Sequence, residues 1–377
     1  MRKTIFITIL LFIISIIFIG SNNVEAITGK NTSIYMWEVK GIDYETYDKM
    51  VDYLDINKIY AYIGTADIKN RIDEEVKLLF EFAKRKNIEI YAVYDENYEN
   101  QLENANRIKE FINEIQEYNK TSICKIKGIA IDSEFHTLDG YNLLSKEEQI
   151  ELFREYVGAM KTSYESARQA NLDYVVCIPV WLNKLEDTLL EELIKEGCSY
   201  VQLMNYSKTN MISNINEEVV FAKKYNKKIE NIAEFQIPGP HEVTENDTFY
   251  NDGLEAGINS FKEIDENYNY DLLTYSFHYY KPVLELYKKL NINNNEQQEI
   301  NQKIDNEINN EINNEIEKKE NLGKNNTESN LNDSVDNTKA KGIIPKTGEE
   351  NNKIILTILI VSIVICVIEL IKIHLKK

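Results

Sequence analysis

The chain has 377 residues and a net charge of −19, with 62 acidic against 43 basic side chains. That balance argues against a nucleic-acid partner or binding to an anionic lipid surface. Of four cysteines, Cys366 lies in the C-terminal apolar run; Cys124, Cys177 and Cys198 lack the close spacing of a disulfide framework or zinc site and are expected to be small buried apolar residues. No His-Glu-x-x-His pair, Asp-rich calcium loop or nucleophile elbow occurs, so the sequence implies no metal and no cofactor. The 24 tyrosines suit stacking on sugars and equally a biased base composition, so their number favours neither.

Residues 1–26 come first. Met1-Arg2-Lys3 is basic, Ile5 to Ile19 is apolar, and Val24-Glu25-Ala26 ends on a small residue. This order is that of a secretory signal peptide cleaved after Ala26. The alternative is an uncleaved anchor, for which the apolar run is short against the ~20 residues of a membrane span.

Residues 27–290 alternate β-like runs with amphipathic stretches. The runs are Ser33–Val39, Lys58–Gly64, Glu89–Tyr94, Lys125–Glu134, Tyr174–Trp181, Ser199–Tyr206, Glu230–Ile237 and Leu272–Tyr280, each rich in Ile, Val, Tyr or Phe. Between them, Glu74–Lys86, Lys146–Ala170 and Glu186–Glu196 carry apolar residues at helical spacing. Eight runs alternating with helices predict an α/β fold, a (β/α)8 TIM barrel. A doubly wound sheet is the rival, but no Gly-rich phosphate loop follows the first run.

The fourth run holds the main candidates. By strand alternation Gly128, Ala130, Asp132 and Glu134 share one face, and Ile129, Ile131, Ser133 and Phe135 the other. Small residues inward and large ones outward fit a crowded barrel. They set two carboxylates inward at the C-terminal end of the strand, where barrels build active sites. Neighbouring like charges raise at least one pKa, and an acid kept protonated near neutral pH can protonate a leaving oxygen. The competing reading is a capping or salt-bridged pair.

On these residues the chain resembles the chitinase-like glycoside hydrolases of family 18. Their fourth strand reads Asp-Gly-x-Asp-x-Asp-x-Glu, against Lys127-Gly128-Ile129-Ala130-Ile131-Asp132-Ser133-Glu134 here. The last Asp and the Glu are kept, and Lys127 and Ala130 replace the first two Asp. Their sixth strand carries Met-x-Tyr, matched by Met204-Asn205-Tyr206. The resemblance implies Glu134 as general acid, Asp132 orienting an N-acetyl group, and Tyr206 hydrogen-bonding its carbonyl. A second scheme pairs Glu134 with Glu234 at the end of the seventh run as a nucleophile. Glu234 is otherwise a partner for a buried base such as Lys125 or Lys127. Substrate-binding candidates at the barrel mouth are Trp37, Trp181, Met204, Gln236, His278 and Tyr280, with Glu38, Tyr94 and Asp95 beside them.

Residues 291–343 shift to Asn, Glu and Lys, with Ile300, Ile304, Ile308, Ile312 and Ile316 every fourth residue. That spacing is no heptad, so a solvated stalk is expected, with a transient helix as the alternative. Residues 344–377 hold Ile344-Pro345-Lys346-Thr347-Gly348, an apolar run from Ile354 to Ile368, and Lys372, Lys376 and Lys377. The run is long enough to enter a bilayer, and the lysines fit its cytoplasmic side. With the pentapeptide it resembles an LPxTG-type sortase sorting signal, with Ile for the leading Leu. The resemblance implies cleavage after Thr347 and transfer to peptidoglycan. Two readings of the whole follow. One is a cell-wall-anchored hydrolase of an extracellular polysaccharide, held by the membrane before sorting. The other is a non-catalytic carbohydrate-binding or adhesion barrel.

Overall fold

A computed structural model describes residues 32–292. The expected signal peptide, the expected stalk from residue 293 on, and the sorting signal with Ile344, Pro345, Thr347 and Gly348 lie outside the described residues. No helix among the described residues is long and apolar enough to cross a membrane.

Eight parallel strands close into a barrel in sequence order. They are β1 (Thr32–Met36), β2 (Ile56–Ala61), β3 (Glu89–Tyr94), β4 (Ile126–Ile131), β5 (Asp173–Pro179), β6 (Tyr200–Met204), β7 (Ile229–Glu234) and β8 (Leu273–His278). The crossovers carry α1 (Tyr44–Tyr53), α2 (Glu74–Lys86), α3 (Gln101–Thr121), α4 (Lys146–Gln169), α5 (Asp187–Glu196), α6 (Asn216–Tyr225) and α7 (Leu254–Tyr268). Residues 280–292 are helical to the last described position. All eight expected runs are strands, and the expected β/α barrel is the fold. A doubly wound sheet is excluded by the pairing of β1 with β8.

Local signals account for the elements. Asp73 caps α2 through the Val76 N–H; Glu74 and Glu75 fill its first turn, and Lys84, Arg85 and Lys86 its last, complementing the helix dipole. A reciprocal Ser145–Glu148 capping box starts α4.

Strand alternation sorts the core into two layers. The inner layer holds Tyr35, Tyr60, Tyr91, Val93, Ala130, Val175, Cys177, Tyr200 and Ile232. Ile129, Ile131 and Phe135 join the outer layer beneath the helices. The expected phase of β4 therefore holds through Ala130. Its small inward residues make room for tyrosine rings: a Cβ on Gly128 would stand 2.6 Å from Tyr91 Cε1 and 2.7 Å from the Asp173 carbonyl. Tyrosine abundance thus has a structural use at the barrel axis.

The floor of the barrel is a closed polar network. Glu230 accepts hydrogen bonds from Ser33 Oγ (2.9 Å), Gln202 Nε2 (2.8 Å) and Tyr60 OH. Lys58 Nζ donates to Tyr200 OH (2.6 Å), lies 3.9 Å from Glu230, and sits 4.8 Å from the ring centres of both Tyr91 and Tyr200. The buried base is therefore Lys58. Neither Lys125 nor Lys127 is buried: Lys125 is exposed, and Lys127 pairs with Asp173 at 3.8 Å.

Candidate active site

Asp132 and Glu134 lie just past the end of β4. The Asp132 N–H still extends the ladder to the Tyr94 carbonyl (2.8 Å), and the Glu134 N–H is held by Asn97 Oδ1. Ser133, between them, points outward and accepts from Asn104 Nδ2 of α3 (3.0 Å). The alternation read from sequence thus continues beyond the strand. It leaves both carboxylates half-buried at the C-terminal end of the barrel.

Their electrostatics follow from that position. Burial, then the charges of Glu134 and Asp95, push the Asp132 carboxyl up to about 7. Its Oδ1 is buried with no hydrogen-bond partner. Burial and then Asp95 raise Glu134 as well. His136 Nε2 stands 3.9 Å from Glu134, and burial lowers that imidazole to about 4, so it is neutral at ordinary pH. Trp181 meets the His136 ring edge-on at 5.1 Å, which places this indole on the Glu134 side of the mouth.

Across the mouth stand Trp37, Tyr206 and His278. Tyr206 packs against the inner layer beside Met204, Tyr62 and Tyr279, and its ring is 5.6 Å from that of His278. Burial first, then Glu234, Asp132, Cys177 and Glu134, hold the Tyr206 phenol well above its ordinary range, so it remains a hydrogen-bond donor.

Glu234 is differently placed. It is 2% exposed. One oxygen accepts the N–H groups of Phe235 (2.8 Å) and Gln236 (2.7 Å), and the other lies 2.7 Å from His278 Nδ1. Both oxygens of this carboxylate are engaged, and its partner is a histidine rather than a lysine. Gln236 spends its side chain on the Pro240 carbonyl (3.0 Å), securing the loop after β7.

Two mouth candidates face away. Tyr280 is 5% exposed in the outer layer, edge-on to Tyr47 of α1 at 5.2 Å. Alternation stops at His278, where β8 ends; Tyr279 then turns to the inner layer and Tyr280 to the outer. Tyr94 likewise packs outward, 5.5 Å from Phe111. Cys177 is buried, as expected, and its thiol also lies 2.9 Å from Tyr35 OH and 3.2 Å from Gln202 Oε1. Its inward phase with Val175 on β5 was the available signal.

The class these features define is a parallel β/α barrel with an acid cluster at the C-terminal ends of its strands. No family model and no curated protein sequence matches the chain. Among solved structures it is similar to a family 18 glycoside hydrolase chitinase from Pseudoalteromonas aurantia, at 8% identity and TM-score 0.43, covering 68% of this chain and 99% of that one. It is similar to a chitinase from Chromobacterium violaceum ATCC 12472 at 12% identity and TM-score 0.36, covering 55% and 69%. D-psicose 3-epimerase from Clostridium cellulolyticum H10 also matches, at 12% identity and TM-score 0.40, covering 66% and 85%. At these identities the likeness is one of fold, and the chemistry rests on the side chains of this chain.

Proposed function

We propose that this chain is a cell-wall-displayed glycoside hydrolase acting on an extracellular polysaccharide that contains N-acetylhexosamine, with Glu134 as general acid. The observation that carries the reading is the Asp132–Glu134 pair just past the C-terminal end of β4, with the Asp132 carboxyl pushed up to about 7. In this reading Glu134 protonates the glycosidic oxygen as the bond to the anomeric carbon breaks. Asp132 accepts a hydrogen bond from the acetamido N–H, and the Tyr206 hydroxyl donates to the acetamido carbonyl. That carbonyl oxygen attacks the anomeric carbon. Water then opens the resulting ring, giving its proton to the Glu134 carboxylate. The enclosure of Glu234 favours this substrate-assisted route over a double displacement on Glu234.

The test is incubation of residues 27–290 with chitooligosaccharides and peptidoglycan strands, beside Glu134→Gln, reading new reducing ends. Loss of a general acid should lower the rate about 10²- to 10⁴-fold. Ala130 stands where the resemblance has an aspartate, and this favours the second reading, a binding barrel. Binding without cleavage, unchanged in Glu134→Gln, would establish that reading and sink the enzyme. Wall display is tested separately: Pro345→Ala should move the protein from the wall fraction to the membrane fraction, and an unchanged wall fraction would count against sorting.

A further inference from the structure

The enclosed carboxylate Glu234 begins a chain that reaches the mouth. Its Oε2 meets His278 Nδ1 at 2.7 Å, and the Trp37 indole Nε1 meets His278 Nε2 at 2.9 Å. An indole N–H can only donate, so Nε2 must carry the lone pair. Nδ1 therefore carries the proton and donates it to Glu234, and the imidazole is neutral. Glu234 is fixed in turn by the backbone N–H groups of Phe235 and Gln236. At the far end the Trp37 ring lies over Tyr35 with centres 5.7 Å apart, tilted 28°, and beside Tyr62 at 6.1 Å. Tyr35 is itself tied to Gln202 Oε1 at 2.6 Å. Trp37 is thus packed over Tyr35, pinned at its N–H, and half-exposed.

We propose that Trp37 is the stacking platform for a pyranose ring in this site, and that Glu234 and His278 are positioning residues that hold it through a fixed Nδ1–H imidazole tautomer. The proposal rests on the glycoside-hydrolase reading for its ligand but not for its geometry. A rigid aromatic face at a barrel mouth suits the apolar C–H face of a sugar. Pinning the N–H removes the freedom that the indole would otherwise lose on binding.

The chain has two tryptophans and four histidines, so both ends of the relay can be observed in the full-length protein. Nitrogen-15 spectra of histidine-labelled protein should show His278 as the Nδ1–H tautomer; an Nε2–H tautomer overturns the relay whatever the variants do. In a Trp181→Phe background Trp37 is the sole indole emitter, and chitotetraose should shift its emission. Glu234→Gln is nearly isosteric. Its carboxamide oxygen must serve Phe235 and Gln236, so its NH₂ group faces Nδ1, forces the proton onto Nε2, and sets donor against donor at Trp37. Chitotetraose affinity should fall at least tenfold in Glu234→Gln and in Trp37→Ala. Chitotetraose binding that leaves Trp37 emission unchanged overturns the platform while sparing the glycoside-hydrolase reading. Failure to bind any chitooligosaccharide overturns that reading and the platform with it, and the tautomer still decides the relay.

Discussion

A buried carboxylate at the floor of the barrel and a half-buried one at its mouth have opposite fates. At the floor, burial alone would raise Glu230, but Lys58, Lys228 and the hydrogen bonds from Tyr60 and Ser33 outweigh it and hold the group below its usual value. At the mouth, Asp132 receives burial together with the like charges of Glu134 and Asp95, and rises to about 7. The same desolvation acts on both, so the difference lies in the neighbours. The floor is a satisfied network that plugs the barrel. The mouth keeps an acid short of partners, with a buried Oδ1 that nothing engages. This is the arrangement expected of a site that waits for a ligand rather than one that only holds the fold together.

The contrast can be broken at either end. Glu230→Ala should be the most damaging change, because it leaves Lys58 buried beside an emptied partner. A loss of roughly 3–5 kcal/mol is expected, measured by denaturant unfolding. Asp132→Asn should act in the opposite sense. A carboxyl raised from 3.8 to about 7 in the folded protein keeps a proton that the unfolded chain gives up. Its penalty is absent below pH about 4, grows with rising pH, and is complete above about 7. The variant should therefore match the parent at pH 4 and exceed it by about 2–4 kcal/mol at pH 8. A variant less stable than the parent at pH 8 would show that Asp132 is a structural partner. Tyr60→Phe should give the smallest effect, about 1–2 kcal/mol, by removing one hydrogen bond to Glu230. If it leaves stability unchanged, the floor is held by Lys58, Ser33 and Gln202 without help from Tyr60.

The sequence showed the barrel because each strand carries its own run of β-branched and aromatic residues, and it showed the β4 phase because Gly128 and Ala130 alternate with Ile129 and Ile131. Asp132 and Glu134 were legible for the same reason, since two-residue spacing sets both on one face. Other features depended on contacts between strands that are far apart in sequence. Glu234 and His278 are 44 residues apart, and nothing local marks them as partners. The floor network joins Ser33, Lys58, Tyr60, Gln202 and Glu230 from the four strands β1, β2, β6 and β7, each individually an ordinary strand residue. Tyr280 failed as a mouth residue because alternation cannot be extended past the point where β8 gives way to helix. The number of tyrosines marked no position in the fold, and only the closed barrel shows which rings meet at its axis.

The most direct measurement is a carbon-13 titration of the side-chain carboxyls of Asp132 and Glu230 in one sample. Asp132 should titrate near pH 7, while Glu230, held down by Lys58 and Lys228, should titrate below the ordinary carboxylate range. Both groups titrating together near pH 4 would contradict the account, because mouth and floor would then be electrostatically alike.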